Sequence, residues 1–61
     1  MQRLLRQLRT AKHLTQAELA QAAKLSRPYI SMLEAGQKKN LSLPALKRLA
    51  RALGVPPSAL L

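Results

Sequence analysis

Two helix-start signals that lie close together in the sequence constrain the fold of this chain more than any other feature. Thr15 and Glu18 form a capping box, in which the threonine hydroxyl accepts a backbone N–H and the glutamate accepts one in return. Ser26 is a second helix cap, and Pro28 lies in the first turn of the next helix, where its missing N–H costs nothing. Gly36 is a typical helix stop. The stretch from Thr15 to Gly36 is therefore predicted to form two short helices that fold back across a tight turn.

Apolar side chains at helical spacing extend this prediction along the chain. Arg3–Lys12 is predicted to be the first helix, and Ser42 caps a fourth helix that Gly54 ends. Val55 to Leu61 contains two prolines and allows one helical turn at most. The predicted fold is all-α, a compact bundle of four helices plus a C-terminal helical turn. The positions expected to face the core are Leu4, Leu5, Leu8 and Ala11; Ala17, Leu19, Ala20 and Ala23; Ile30 and Leu33; Leu43, Leu46, Leu49, Ala50 and Leu53; and, outside the helices, Leu41, Val55 and Leu60.

Composition limits the functions that such a bundle can have. The chain has 61 residues, which suffice for one domain over residues 1–61, and its lack of cysteine excludes thiolate zinc sites and fits a reducing cytosol. No apolar run approaches the roughly 20 residues of a membrane span. Lys and Arg number 11 against 2 acids, and this net charge of +9 indicates a polyanionic partner. The single tyrosine argues against single-strand binding, which relies on stacked aromatic side chains.

The sequence TQAELA, a short turn and then the pattern S-x-x-x-I-x-x-L-E-x-G resemble the lambda-repressor-like (Cro/cI-type, XRE family) helix-turn-helix DNA-binding domain. The resemblance extends from about Leu5 to Leu60, with residues 15–36 as the helix-turn-helix core. It implies sequence-specific binding of double-stranded DNA by the third helix, most simply in a small transcription regulator. Two positions depart from the family pattern. Lys24 occupies a turn position that is often glycine, so either Lys24 is left-handed or the turn is remodelled, and Pro28 replaces a side chain that usually hydrogen-bonds DNA.

The resemblance makes Arg27 the first candidate for reading a base. It begins the third helix, whose N-terminal part meets base edges in such proteins, and a guanidinium can donate two hydrogen bonds to guanine O6 and N7. Pro28 and Met32, one helical turn apart, are candidates for apolar contact with a thymine methyl. For Met32 the alternative is that it covers the neighbouring core. Ser31 is the fourth candidate on this face, in contact with a base or with a phosphate oxygen.

Phosphate contacts are expected on both sides of the reading helix. Gln16 begins the second helix, where free N–H groups attract an anion, and the matching glutamine of the family bonds a phosphate. Ser26 and Tyr29 are candidates at the start of the third helix, with Tyr29 expected on its exposed face. Beyond the end of that helix, Lys38, Lys39 and Asn40 form a basic loop that either clamps a phosphate or is simply solvated.

Both acidic residues have structural explanations. The family pairs a glutamate before the helix stop with an arginine of the first helix, and the matching residues are Glu34 and Arg9. The resemblance therefore implies a structural ion pair between these two, while Glu18 is used in capping. His13 has no partners for a metal site, so we expect no metal and no cofactor. With one histidine, no cysteine, no aspartate and both glutamates used structurally, we expect no catalysis either.

Several other interpretations compete with the regulator. A DNA-binding antitoxin that also holds a partner protein is the main alternative. A cationic membrane-surface peptide would need one long amphipathic helix with interfacial aromatic residues, so no membrane partner is expected, and neither is a small-molecule ligand. Regular caps and Leu- and Ala-rich helices are also compatible with a designed binder. We expect a cytoplasmic, nucleoid-associated protein that is monomeric in free solution and at most a weak homodimer on DNA, because few apolar residues remain for an interface and basic chains repel each other.

Overall fold

The computed structural model describes residues 2–37 and 41–60. In these ranges the chain forms four α-helices and no strand. The predicted all-α bundle with a C-terminal helical turn is confirmed. No helix in the described part of the chain is both long and apolar enough to cross a bilayer. The elements are α1 (Gln2–Ala11), α2 (Gln16–Ala23), α3 (Arg27–Glu34), α4 (Leu43–Leu53) and a 3₁₀ helix (Pro57–Leu60).

Side-chain caps define where three of the helices begin. Thr15 Oγ1 accepts a hydrogen bond from the Glu18 backbone N–H at 3.0 Å, and Glu18 Oε1 accepts one from the Thr15 N–H at 2.8 Å. This is the predicted capping box. Ser26 Oγ accepts from the Tyr29 N–H at 3.2 Å, and Ser42 caps α4 in the same way. Each cap satisfies an N–H that the first turn of a helix leaves without a partner, so these local bonds fix the boundaries.

A residue with positive φ lies one or two positions beyond the end of each α-helix: His13, Lys24, Gly36 and Gly54. Lys24 has φ 57° and ψ 42°, and Leu25 N–H donates to the Ala20 carbonyl at 2.8 Å, closing the end of α2. Of the two predicted possibilities for the turn, the structure has the left-handed lysine. Gly54 ends α4 with φ 71°, and Val55 N–H donates to the Ala50 carbonyl. The two ends are therefore built alike, although only one uses the residue that adopts this conformation without strain.

The core collects apolar side chains from all four helices and the 3₁₀ helix. α2 is central, because it packs against both α3 and α4, while α1 packs against α3 and the 3₁₀ helix against α4. Leu41 and Val55 are partly buried against this core, as predicted. The largest fully buried side chains are Leu5, Leu19, Ile30, Leu33, Leu49, Leu53 and Leu60.

Four positions predicted to face the core do not. Leu43 is 59% exposed because Ala45 takes the buried place in the first turn of α4. Leu4 is 37% exposed and Ala11 is exposed, since the buried surface of α1 is a narrow stripe around Leu5. Ala17 is exposed because it lies about 200° around α2 from the buried Leu19. The remaining helical positions predicted for the core are buried or partly buried.

Candidate nucleic-acid interface

The outer face of α3 presents a continuous exposed stripe. Arg27 and Ser31 lie four residues apart, as do Pro28 and Met32, so their side chains share one side of the helix. All four are exposed, and Met32 is 38% exposed. The first turn is well defined, because Ser26 caps it and Pro28 fixes the backbone there. A short rigid helix thus carries one guanidinium, one hydroxyl and two apolar groups into solvent.

Tyr29 does not belong to the exposed stripe, and the prediction that it lies on the exposed face is wrong. Its side chain is partly buried and packs against the core. The reason is its spacing from Leu33, four residues further on, which is buried on the inner face. The tyrosine ring therefore packs against the core, and a phosphate contact through its hydroxyl stays a prediction.

The inner face of α3 ends in a polar junction that joins three helices. Arg9 Nε donates to Glu34 Oε2 at 2.6 Å, and Arg9 Nη2 donates to Glu34 Oε1 at 3.1 Å. The Arg9 and Glu34 side chains are only 11% and 6% exposed. Arg9 Nη1 donates to the Leu14 carbonyl at 2.7 Å, and Gln16 Nε2 donates to Glu34 Oε1 at 3.1 Å. One bidentate ion pair with two further bonds therefore holds α1, α2 and α3 in register.

The surroundings of Glu34 favour its charged form. Burial alone raises the pKa of this carboxyl, but the hydrogen bonds from Arg9 and Gln16 and the charges of Arg9 and Arg6 outweigh that effect. The pKa of Glu34 therefore lies below its ordinary value. The pKa of Glu18 is also lowered, by its hydrogen bonds with the Thr15 backbone and side chain. Both acidic side chains of the chain are thus held ionised by their partners.

Gln16 lies where this junction meets the outer stripe. It shares an open groove of about 290 Å³ with Arg6, Arg9, Ser31, Glu34 and Ala35. Its amide gives one N–H to Glu34 and keeps a second, and it is the first residue of α2, where backbone N–H groups are free. The arrangement can hold an anion beside Ser31 of the outer stripe.

Arg6 is a candidate contact that the sequence prediction missed. Its side chain is exposed and lines the same groove as Gln16 and Ser31. In contrast, Arg9 in that groove is neutralised by Glu34. The spacing of Arg6 and Arg9, three residues apart on one helix, was a signal that could have found it.

The other predicted positions are placed as follows. Ser26 is exposed, and its hydroxyl caps α3. Lys38, Lys39 and Asn40 lie outside the described residues, so the predicted basic clamp stays a prediction. His13 is exposed with φ 58°, just beyond α1. Within residues 2–37 and 41–60, no three His, Cys, Asp or Glu side chains are grouped as metal ligands would be.

The sequence of the chain matches a known family over almost its whole length. The profile of the helix-turn-helix family covers residues 5–60. The chain belongs to the helix-turn-helix family. Its α2 and α3, with the left-handed turn at Lys24 between them, are the two helices that give such a family its name. The predicted resemblance is confirmed.

Solved structures of helix-turn-helix regulators are similar to the chain in both sequence and fold. The restriction-modification controller protein C.AhdI from Aeromonas hydrophila is 43% identical, with a TM-score of 0.91 over 98% of this chain and 89% of that one. The master regulator for biofilm formation SinR, in a structure with DNA, is 27% identical, with a TM-score of 0.92 over 97% of this chain and 94% of that one.

A third structure is a complex of the SinR protein with the SinI protein. It is 28% identical, with a TM-score of 0.92 over 98% of this chain, which spans only 58% of the matched chain. No curated protein sequence matches the chain significantly. The relatives are a controller protein and a master regulator, so these similarities do not favour the antitoxin alternative.

Proposed function

We propose that the protein is a transcription regulator that binds double-stranded DNA sequence-specifically, with α3 in the major groove. The observation that carries this proposal is the outer stripe of α3. This capped helix exposes four side chains to solvent: Arg27, Pro28, Ser31 and Met32. A similar protein, SinR, has a structure in complex with DNA. The N-terminal part of such a helix is the part that reaches base edges.

The chemistry of the stripe supports a division of roles among its residues. Arg27 carries the fork that matches guanine O6 and N7, and it is assigned to base reading. Pro28 and Met32 offer apolar surface to a thymine methyl, and Ser31 offers a hydroxyl to a base or a phosphate. No catalytic step is assigned to any of them.

Phosphate contacts then surround the stripe. Gln16, Ser26 and Tyr29 remain assigned to this role, and Arg6 joins them because it lines the same groove as Gln16 and Ser31. Lys38, Lys39 and Asn40 are proposed to bind the backbone beyond the end of α3. Such contacts position the protein without reading sequence, and they make the affinity depend strongly on salt.

Selection of bound duplexes from a random DNA pool tests this function. We expect a motif of a few base pairs to be enriched, with guanine at the position that loses its preference when Arg27 is replaced. Lys47→Ala removes an exposed charge of α4 and serves as the control, because it should leave the motif unchanged. A pool that stays random after repeated selection would show a non-specific polycation and contradict the proposal.

The oligomeric state is proposed from charge and exposed apolar area. The protein is monomeric in free solution and pairs at most weakly when two copies occupy adjacent half-sites on DNA. The large hydrophobic side chains exposed among the described residues are Leu4, Met32 and Leu43, and two copies of a chain with charge +9 repel each other. Sedimentation equilibrium without DNA checks this, and a stable species of twice 6.7 kDa would contradict it.

Residues 1–61 are proposed to act as one domain. Because DNA is the proposed ligand, the protein is proposed to be cytoplasmic and bound to the nucleoid. Crosslinking of the protein to chromosomal DNA in cells, followed by identification of the bound sites, would test that location.

A further inference from the structure

The end of α2 and the second half of α4 enclose a groove that none of the proposed DNA contacts uses. It has a volume of about 490 Å³ and is lined by Ala22, Lys24, Arg48, Arg51 and Ala52. No residue of α3 contributes to this lining. Gln16 lies at the opposite end of α2, about 12 Å away along the helix axis. We call this groove, lined by α2 and α4, the α2–α4 groove.

Among the described residues, three cations and no acidic side chain line the α2–α4 groove. The two acidic side chains of the chain are committed elsewhere, Glu18 to the capping box and Glu34 to Arg9. Neither acidic side chain is therefore left to neutralise the groove. Its walls between the charges are the methyl groups of Ala22 and Ala52.

Arg48 is held in place before any ligand arrives. Its Nε donates a hydrogen bond to the Ala23 carbonyl at 3.0 Å. This bond fixes the guanidinium plane, and the Nη groups form no further hydrogen bond within the described residues. A fork fixed in this way loses little freedom when it binds a carboxylate through two parallel hydrogen bonds.

Lys24 brings a second cation to the groove from a costly backbone conformation. Its φ of 57° is the left-handed region, where a side chain other than glycine is strained by about 1 kcal/mol. Arg51 completes the set, three residues beyond Arg48 on the same side of α4.

We propose that the α2–α4 groove binds an acidic helical segment of a partner protein. The Arg48 and Arg51 pair matches carboxylates spaced three or four residues apart on such a segment. The methyl groups of Ala22 and Ala52 give the groove apolar surface against which glutamate methylenes can pack. The protein thus has two binding faces, α3 for the duplex and the groove for an acidic partner. This goes beyond the proposed function, because acid binding at the groove does not require that α3 reads DNA.

Titration of the isotopically labelled chain with a blocked helical peptide of Glu-Ala-Ala-Glu repeats tests the proposal. At low salt we expect chemical-shift changes at the groove residues and none at the outer stripe of α3. A peptide with glutamine in place of glutamate should not bind. Arg51→Gln and Lys24→Gln should each weaken binding about fivefold, as expected for losing one ion pair. Lys47→Gln removes the same charge from an exposed side chain of α4 that does not line the groove, and it should change binding less than about twofold.

Three results would overturn the proposal. Equal weakening by Lys47→Gln and Arg51→Gln would show non-specific attraction to a basic chain. Shift changes confined to α3 would place the acidic segment on the DNA face. Loss of duplex affinity in Arg51→Gln well beyond that in Lys47→Gln would assign the groove to DNA. Arg51 is exposed and makes no cap, so its variant should keep the amide spectrum and melting temperature of the parent.

Discussion

The two faces of α3 differ in what fixes their side chains. On the inner face, Ile30 and Leu33 are buried and Glu34 is tied to Arg9 and Gln16. On the outer face, Arg27 and Met32 are exposed to solvent. Successive side chains of a helix point about 100° apart, so even the adjacent residues Met32 and Leu33 lie on different faces. Position around the helix, rather than position along the chain, therefore separates residues that hold the fold from residues free to bind a ligand.

That separation means that substitutions on the two faces should have different effects. Inner-face side chains are restricted by volume and by charge pairing, and substitutions there cost folding energy. Outer-face side chains contribute little to the free energy of folding, so substitutions there should change binding rather than stability.

Leu33→Ala and Met32→Ala form the sharpest test because the two residues are neighbours. Leu33 is 1% exposed, and its truncation should lower the free energy of unfolding by about 2–5 kcal/mol. Met32 is 38% exposed, and its truncation should change that energy by less than about 0.5 kcal/mol. Thermal and urea melts measure both. Comparable destabilisation by the two variants would mean that α3 has no separate outer face.

Glu34→Ala should cost the next largest amount. It leaves the Arg9 guanidinium, 11% exposed, without its counter-charge, and loss of one partner of such a pair costs about 3 kcal/mol. Arg9→Met combined with Glu34→Ala should cost less than the two single changes added together, since neither charge is then stranded. Urea melts of the four proteins measure this. A double variant whose loss equals the sum would show that the pair is not coupled.

Acid should destabilise the protein through the same group. The pKa of Glu34 is lowered in the fold from an ordinary 4.5, so the unfolded chain takes up this proton first as pH falls. The stabilising contribution is therefore complete above about pH 4.5 and is lost as pH falls through the folded value. Melting temperatures across this range should fall for the parent. In Glu34→Gln the fall should shrink to the part due to Glu18, whose pKa is lowered too.

The helix boundaries could be predicted because their signals are local. Caps at Thr15, Ser26 and Ser42 act within one turn, and the structure has all three. Leu43 shows the limit of apolar spacing. It falls on the predicted inner face of α4, yet it is exposed, whereas Ala45 in the same turn is buried. Burial depends on what lies opposite a side chain, which spacing does not contain.

The site was predictable to a similar extent. The outer stripe follows from the helix period once α3 is located, and the partners Arg9 and Glu34 followed from the family resemblance. The bonds from Gln16 to Glu34 and from Arg48 to the Ala23 carbonyl were not predicted. They join residues of different helices, so they depend on packing geometry that no local pattern encodes.

Arg27 provides the test of the outer face in binding. Arg27→Ala should weaken the selected DNA site by about 1–3 kcal/mol and relax the preference at one base pair. Arg27→Lys keeps the charge and loses the fork, so it should restore non-specific affinity without restoring that preference. Fluorescence anisotropy with the selected and a scrambled duplex measures both terms. An unchanged preference in Arg27→Ala would show that another residue reads the site.

Lys39→Ala should act differently from Arg27→Ala, because a phosphate contact carries no sequence information. It should weaken selected and scrambled duplexes alike and lower the slope of log affinity against log salt by about one unit. Affinities over a salt series measure this slope. If the selected duplex alone were weakened, Lys39 would have to be assigned to base reading.

The substitution with the smallest expected effect tests the turn between α2 and α3. Lys24 has a left-handed backbone, so Lys24→Gly removes about 1 kcal/mol of strain and loses part of that gain to the greater freedom of the unfolded chain. A net stabilisation of about 0.5 kcal/mol should remain, with the selected DNA motif unchanged. Gly54→Ala is the matched reverse change, because Gly54 ends α4 with φ 71°. It should destabilise by about 1 kcal/mol, the strain that a Cβ brings to this conformation. Urea melts compare the two. If Lys24→Gly lowered the stability, the lysine side chain would have to stabilise the fold by more than its backbone strain costs. The turn between α2 and α3 would then depend on a side-chain contact and not only on its backbone.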